Sequence, residues 1–81
     1  MHITVRFFAL VRDRAGVSQT ELNLDAGASV ATAVELIGEQ FPQVKSILPR
    51  IAFAVNQSYV DRATVLESGD ELALIPPVSG G

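Results

Sequence analysis

The stretch Ser29-Val30-Ala31-Thr32-Ala33-Val34-Glu35-Leu36-Ile37-Gly38-Glu39-Gln40-Phe41-Pro42 contains the strongest helical pattern of this 81-residue chain. Its apolar residues recur at the spacing of one helix face: Val30, Ala33, Val34, Ile37 and Phe41. Ser29 is a favourable N-cap, and Pro42 cannot continue a helix because it lacks an amide hydrogen. The sequence therefore predicts one main helix that begins after Ser29 and ends at Phe41.

Strand patterns lie on both sides of this helix. Alternation of apolar with other residues predicts four strands and one short extended piece: His2–Val11, Gln19–Asp25, Arg50–Asn56, Glu71–Ile75 and Tyr59–Asp61. Two predicted turns, Arg12–Val17 and Leu66–Asp70, connect these segments. Gln43–Leu48 is predicted to form a further helical turn. The predicted order of elements is ββαβββ.

One amphipathic helix can cover only one face of the predicted sheet. The positions that we assign to the helix-facing side are all apolar: Ile3, Val5, Phe7, Leu22, Leu24, Ile51, Phe53, Val55, Leu72 and Leu74. The solvent-facing side of a sheet is usually polar. Here the opposite face is also apolar, because it carries Phe8, Leu10, Ala52, Ala54, Ala73 and Ile75. We interpret this second face as a protein-binding surface, although single apolar surface residues also occur without a role.

Composition restricts the class of protein. With 48% hydrophobic and 19% charged residues, the chain is expected to fold as one domain, and its net charge of −3 disfavours nucleic acid or an anionic membrane as a partner. The absence of cysteine excludes disulfides and thiolate nucleophiles. The apolar segment Ile3–Val11 is interrupted by Arg6, is too short to span a bilayer and lacks a signal-peptide cleavage region. We therefore expect a cytoplasmic location.

Conventional catalytic groups are scarce in the sequence. His2 is the single histidine and Lys45 the single lysine, and no spacing indicates a Ser/His/Asp set, paired carboxylates or metal ligands. The glycines do not form a phosphate-binding loop. We accordingly predict no bound cofactor and no metal site in this chain.

The sequence ends in Ile75-Pro76-Pro77-Val78-Ser79-Gly80-Gly81. The two prolines favour an extended path, and the two glycines lack a Cβ, so this backbone can enter a channel too narrow for other residues. Such endings are also common in disordered termini. If the chain carries chemistry, we expect it on the carboxylate of Gly81. We therefore divide the chain into a folded domain, residues 1–75, and a flexible, extended tail, residues 76–81.

Four segments match one protein family. They are Val5-Arg6-Phe7-Phe8-Ala9 with Val11-Arg12, then Ala54-Val55-Asn56-Gln57, Leu66-Glu67-Ser68-Gly69-Asp70-Glu71-Leu72-Ala73 and the Pro-Pro-Val-Ser-Gly-Gly ending. Together they resemble the small subunits of molybdopterin synthase, the MoaD-type sulfur carriers. The resemblance implies a ubiquitin-like β-grasp fold of the α+β class, with one main helix on one face of a mixed sheet. This fold agrees with the ββαβββ order.

The resemblance also implies a mechanism. An E1-like adenylyltransferase would use ATP to adenylate the terminal carboxylate, here on Gly81 after Gly80, and a sulfur donor would convert it to a thiocarboxylate. The tail would then enter a large subunit and donate sulfur to cyclic pyranopterin monophosphate in molybdenum cofactor biosynthesis. The chain would thus be the sulfur-donating subunit of a sulfurtransferase, without an autonomous catalytic site, in a heterotetramer of two small and two large subunits.

The family's partner-binding positions can be transferred to this chain. The resemblance implies that these residues contact the large subunit: Phe8, Arg12, Tyr59, Ile75, Pro76, Pro77, Val78 and Ser79. Tyr59 stands where the family pattern leads us to expect an aliphatic residue.

Three other functions remain open. A related carrier could deliver sulfur to thiamin biosynthesis, but we expect such a chain to be shorter and to lack the two prolines. A ubiquitin-like protein modifier would join Gly81 to a target lysine through the same activated tail. A non-catalytic β-grasp binding module would use the sheet face and ignore the terminus. Loss of Gly81 would leave the binding module intact but would inactivate a carrier or a modifier.

Overall fold

A computed structural model of the protein describes residues 1–77. The strands are β1 (His2–Phe7), β2 (Gln19–Asn23), β3 (Ala52–Val55), β4 (Ser58–Val60) and β5 (Glu71–Ile75). The helices are α1 (Ala9–Ala15) and α2 (Val30–Gln40), followed by two short 3₁₀ turns, Pro42–Val44 and Leu48–Arg50. The strands form one mixed sheet in the order β2-β1-β5-β3-β4, in which β1 and β5 are parallel and the other neighbours are antiparallel.

The predicted main helix is confirmed. Ser29 caps α2 by accepting a hydrogen bond from the Thr32 N–H at 3.4 Å. The Val30 N–H, which has no partner inside the helix, donates to the Thr64 C=O at 2.9 Å. This bond fixes the start of α2 to the segment that precedes β5. At the other end, Pro42 begins a 3₁₀ turn.

The prediction of a strand that continues to Val11, followed by a turn over Arg12–Val17, is wrong. β1 ends at Phe7, and Ala9–Ala15 forms the short helix α1. Leu10, which we placed on the outer side of the sheet, therefore lies on α1, where 44% of it is exposed. The smaller differences concern boundaries: β2 and β3 are shorter than predicted, and β4 begins one residue earlier.

Packing explains the short helix. Val11 and Ala15 are four residues apart, so a helix places both on one side, where both are buried. Gly16 ends α1 in a left-handed conformation with φ 81°, and its N–H donates to the Arg12 C=O at 2.9 Å. Period-two alternation extends from β1 into this segment and conceals the helical spacing.

The core lies between α2 and one face of the sheet. Nine of the ten predicted helix-facing residues are buried, and Val55 is half-buried against the same cluster. Phe7 contacts Phe41, which follows α2, in an edge-to-face arrangement with ring centroids 5.3 Å apart. Burying each large apolar side chain contributes about 1.5–3 kcal/mol. The face assignment made from alternation is therefore correct for the core side.

Candidate functional site

The face of the sheet away from α2, called the outer face here, includes two neighbouring rows of side chains near the carboxyl ends of β1 and β5. The strand register aligns the first row across four strands: Arg6, Ala73, Ala54 and Tyr59. In the second row Ile75 is opposite Ala52. Phe8 extends this row just beyond β1, where its N–H donates to the Leu74 C=O at 3.3 Å.

A depression of about 230 Å³ lies in the centre of the outer face. Its floor is formed by the small side chains of Ala54 and Ala73, and Phe8, Tyr59 and Ile75 line its sides. Phe8 is 37% exposed and Tyr59 is 75% exposed. Two exposed aromatic rings thus flank a floor of alanines. Aromatic side chains that become buried when two proteins bind often dominate the energy of the interface.

Arg6 connects the apolar and charged parts of the depression. Its Cζ lies 5.5 Å from the centroid of the Phe8 ring, and its Nη1 lies 3.6 Å from Oε1 of Glu71. Both charged side chains are about half exposed, at 47% and 41%, so this ion pair contributes about 1 kcal/mol or less to stability. Arg6 therefore contacts both the Phe8 ring and the Glu71 carboxylate, and its ion pair adds little to the stability of the fold.

Arg6 and Glu71 are not among the site residues that the sequence predicts. Alternation placed Arg6 on the outer face, but an arginine on a strand is usually a solvated charge. The contact between Arg6 and Glu71 depends on the parallel pairing of β1 with β5. No local sequence signal reveals this pairing.

A tight hairpin positions Tyr59. Asn56 and Gln57 connect β3 to β4 with φ values of 49° and 72°, the geometry of a two-residue type I′ turn. The Asn56 Nδ2 donates to Asp70 Oδ1 at 2.9 Å, and the Glu71 N–H donates to Asn56 Oδ1 at 3.0 Å. These bonds attach the hairpin to the beginning of β5.

Pro76 and Pro77 follow β5 at the edge of the outer face. Because β1 and β5 are parallel, their carboxyl ends meet at one edge of the sheet, and Phe8 lies beside the end of β5. Pro76 is half-buried and Pro77 is exposed. The predicted roles of Val78, Ser79, Gly80 and Gly81 concern positions outside the described residues.

The structure brings together some of the predicted partner-binding residues but not all of them. Phe8, Tyr59 and Ile75 line one depression. Arg12 is exposed on α1 and does not line it. Ala54, which alternation places on the outer face, is buried in the floor of the depression at 5% exposure.

A separate polar cluster joins β1 to β2. His2 Nε2 lies 2.9 Å from Glu21 Oε1, His2 Nδ1 lies 3.2 Å from Asn23 Oδ1, and the Thr4 hydroxyl donates to Glu21 at 3.1 Å. The Glu21 carboxylate, with help from Asn23, raises the pKa of His2 above its usual value. The bond from His2 in turn lowers the pKa of Glu21. His2, Glu21 and Asn23 are exposed and Thr4 is half-buried, and the cluster does not line the depression.

Two negative findings apply to residues 1–77. No helix there has both the length and the apolar character needed to cross a membrane. Within the same residues, no group of three or more His, Asp or Glu side chains is arranged to hold a metal ion.

Curated proteins of one name are similar to the whole chain. The Molybdopterin synthase sulfur carrier subunit of Chlamydomonas reinhardtii is 39% identical over 83 positions, covering 100% of both chains. The protein of the same name from Mycobacterium tuberculosis is 32% identical, covering 98% of this chain and 96% of its own length.

Solved structures share the fold. SAMP1 from Haloferax volcanii has a TM-score of 0.92 at 27% identity, with 100% of both chains covered. A chain in the complex of subunits 1 and 2 of Molybdopterin-converting factor from Helicobacter pylori has a TM-score of 0.73 at 27% identity, again over 100% of both chains. These likenesses confirm the predicted ubiquitin-like β-grasp fold, and one similar chain occurs in a complex with a second subunit. The ThiS family model matches residues 5–81, and the chain therefore belongs to the ThiS family.

Proposed function

We propose that this chain is the sulfur-carrier small subunit of a molybdopterin synthase. The observation that carries the proposal is the similarity over the whole chain to proteins of that name, at 39% identity in the algal relative. The geometry supports the proposal, because β5 ends at Ile75 beside Phe8, next to a concave surface that combines aromatic and aliphatic side chains with Arg6 and Glu71. A carrier needs such a surface to dock while its terminus reaches a distant site.

The chemistry proposed for the chain resides on Gly81. A carboxylate is inert towards nucleophiles, so an E1-like enzyme transfers AMP from ATP to it and releases pyrophosphate. A sulfur donor then displaces AMP and leaves a thiocarboxylate. Gly80 and Gly81 suit this role because they lack side chains that would obstruct a narrow active-site channel. ATP acts in the activating enzyme, and this chain binds no cofactor of its own.

The thiocarboxylate sulfur then attacks cyclic pyranopterin monophosphate in the large subunit, and water cleaves the acyl C–S bond, which leaves the sulfur on the substrate and returns the Gly81 carboxylate. Two such transfers build the dithiolene of molybdopterin, and two small and two large subunits form the heterotetramer. This chain supplies the nucleophile and its proximity, while the large subunit supplies the acid–base groups. The residues proposed to bind the large subunit are Phe8, Tyr59 and Ile75 in the depression, Arg12 from α1, and Pro76, Pro77, Val78 and Ser79 along the tail.

Mass spectrometry tests the proposal. The full chain, incubated with its E1-like partner, ATP and a sulfur source, should gain the mass difference between sulfur and oxygen, located to Gly81 by fragmentation. A chain that lacks Gly81 is the control and should gain nothing. Covalent adducts on lysines of other proteins would favour a modifier instead, and transfer of the sulfur into a thiazole would favour the thiamin pathway. An unchanged mass would leave the binding module as the better interpretation.

A further inference from the structure

β2 has an open edge. In the described part of the chain it pairs only with β1. In an antiparallel pair, alternate residues direct their backbone groups toward the partner strand and the others direct them away from it. The Leu24 N–H donates to the Met1 C=O at 2.8 Å, which fixes this alternation. The residues whose N–H and C=O groups point away from the sheet are therefore Gln19, Glu21 and Asn23.

A groove of about 290 Å³ lies between the end of β2 and α2. Its apolar lining comes from Leu24, which is buried, and from Ala28 and Leu36, which are half-buried. If a strand were added to the edge of β2, alternate side chains of that strand would point to the helix side of the sheet, as Leu22 and Leu24 do. One apolar side chain of the added strand would thus enter the groove.

The rim of this groove is acidic. Asp25, Glu35 and Glu39 line it and are exposed, and no lysine or arginine lines it. Within residues 1–77, none of these three carboxylates forms a salt bridge. Lys45 lines a different groove, on the other flank of α2, together with Glu35 and Glu39. The rim therefore favours a partner with positive charges next to its apolar residue.

We infer that the edge of β2 and this groove bind an extended segment of another protein by strand addition. The segment has one apolar side chain in the groove and lysine or arginine on either side of it. The outward backbone groups of β2 provide affinity, whereas the groove and the three carboxylates select the sequence. The site lies at the opposite edge of the sheet from β4 and Tyr59. It can therefore be occupied while the outer face is bound to another subunit.

Selection from a randomised peptide library against the full chain tests this inference. Enriched peptides should carry an apolar residue flanked by lysine or arginine. A synthetic peptide of the enriched sequence should shift the amide NMR signals of Gln19, Glu21, Asn23 and Leu36. Enrichment of acidic or uncharged peptides, or signal shifts confined to the Phe8 and Tyr59 side of the sheet, would overturn the inference.

A pair of variants at one position isolates the backbone contribution. Glu21→Pro removes an outward N–H, and proline is tolerated at edge positions whose N–H faces solvent. Glu21→Ala removes the same side chain but keeps the N–H. We expect the proline variant to bind the peptide at least about fivefold more weakly than the alanine variant. Equal affinities would contradict strand addition.

Two further measurements keep the test decisive. The double variant Glu35→Lys and Glu39→Lys leaves β2 unchanged and should lose the preference for basic peptides, even if the proline variant fails to fold. An open edge can also pair with a second copy of this chain, and sedimentation of the full chain tests for such a dimer. A concentration-dependent dimer that Glu21→Pro abolishes would assign the edge to a second copy of this chain and would overturn the inference.

Discussion

Phe8 and Phe53 lie on opposite faces of the same sheet, at 37% and 5% exposure. We expect Phe8→Asp to leave the domain folded and to weaken binding to the large subunit at least about tenfold, because a charge would lose its hydration at an apolar contact. Phe53→Asp should instead unfold the domain, since removal of a buried phenylalanine alone costs about 3–5 kcal/mol. Circular dichroism and a binding assay with the large subunit measure the two effects.

Ile75→Asp provides a second test of the same surface, because Ile75 is half-buried beside the depression. It should behave as Phe8→Asp does. A Phe8→Asp protein that unfolds as readily as Phe53→Asp would show that our assignment of the two faces is wrong.

At the level of elements, β1 and β2 are joined at their exposed side by His2 and Glu21. Their hydrogen bond raises the pKa of His2 above 6.5 and lowers the pKa of Glu21 below 4.5. The contribution of His2 to the free energy of unfolding is therefore fully present below the pKa of His2 in the unfolded chain. It is lost as the pH rises through the higher pKa of the folded protein. The stability from Glu21 is present above its unfolded pKa and is lost as the pH falls through the lowered value. The pair should contribute most between about pH 5 and 6.

An NMR titration of His2 in the wild type and in Glu21→Gln checks this prediction. The variant should titrate closer to 6.5. The difference in Tm between the two proteins should be largest between about pH 5 and 6 and should shrink toward about pH 8. Because all the groups are exposed, we expect a small effect. An unchanged His2 titration in the variant would show that the hydrogen bond does not persist in solution.

The two helices differ in whether the sequence predicts them. α2 was predicted with its cap because Ser29, the apolar spacing and Pro42 are all local signals. α1 was not predicted, since its seven residues follow a strand pattern and contain no N-cap side chain. Burial of Val11 and Ala15 against the core determines the helix there, and this burial requires the rest of the fold.

At the level of the whole molecule, the proposed chemistry depends on the length of the tail. One alanine added after Gly81 should abolish adenylation, because it displaces the carboxylate and places a Cβ where the channel admits glycine. Deletion of Gly81 should have the same effect. The fold and binding to the large subunit should persist in both variants. ATP–pyrophosphate exchange measures adenylation. The control is Ser68→Ala, because Ser68 is exposed and lies outside the tail.

An extended variant that still supports molybdopterin formation without being trimmed would contradict the carrier function. A variant that loses binding to the large subunit as well would show that the tail contributes to docking more than the outer face does.

The sequence by itself determined α2 and the division of strand residues between two faces, and it predicts a tail that ends in two glycines. These features follow from periodicity, capping and backbone freedom within short segments, so no distant contact is needed to infer them. Only the tertiary structure decided the insertion of β5 between β1 and β3. That pairing brings Arg6 to Glu71 and Phe8 to the end of β5, and it forms the depression at the root of the tail. Contacts between segments so far apart depend on how the whole sheet assembles, and local alternation does not specify which strands become neighbours.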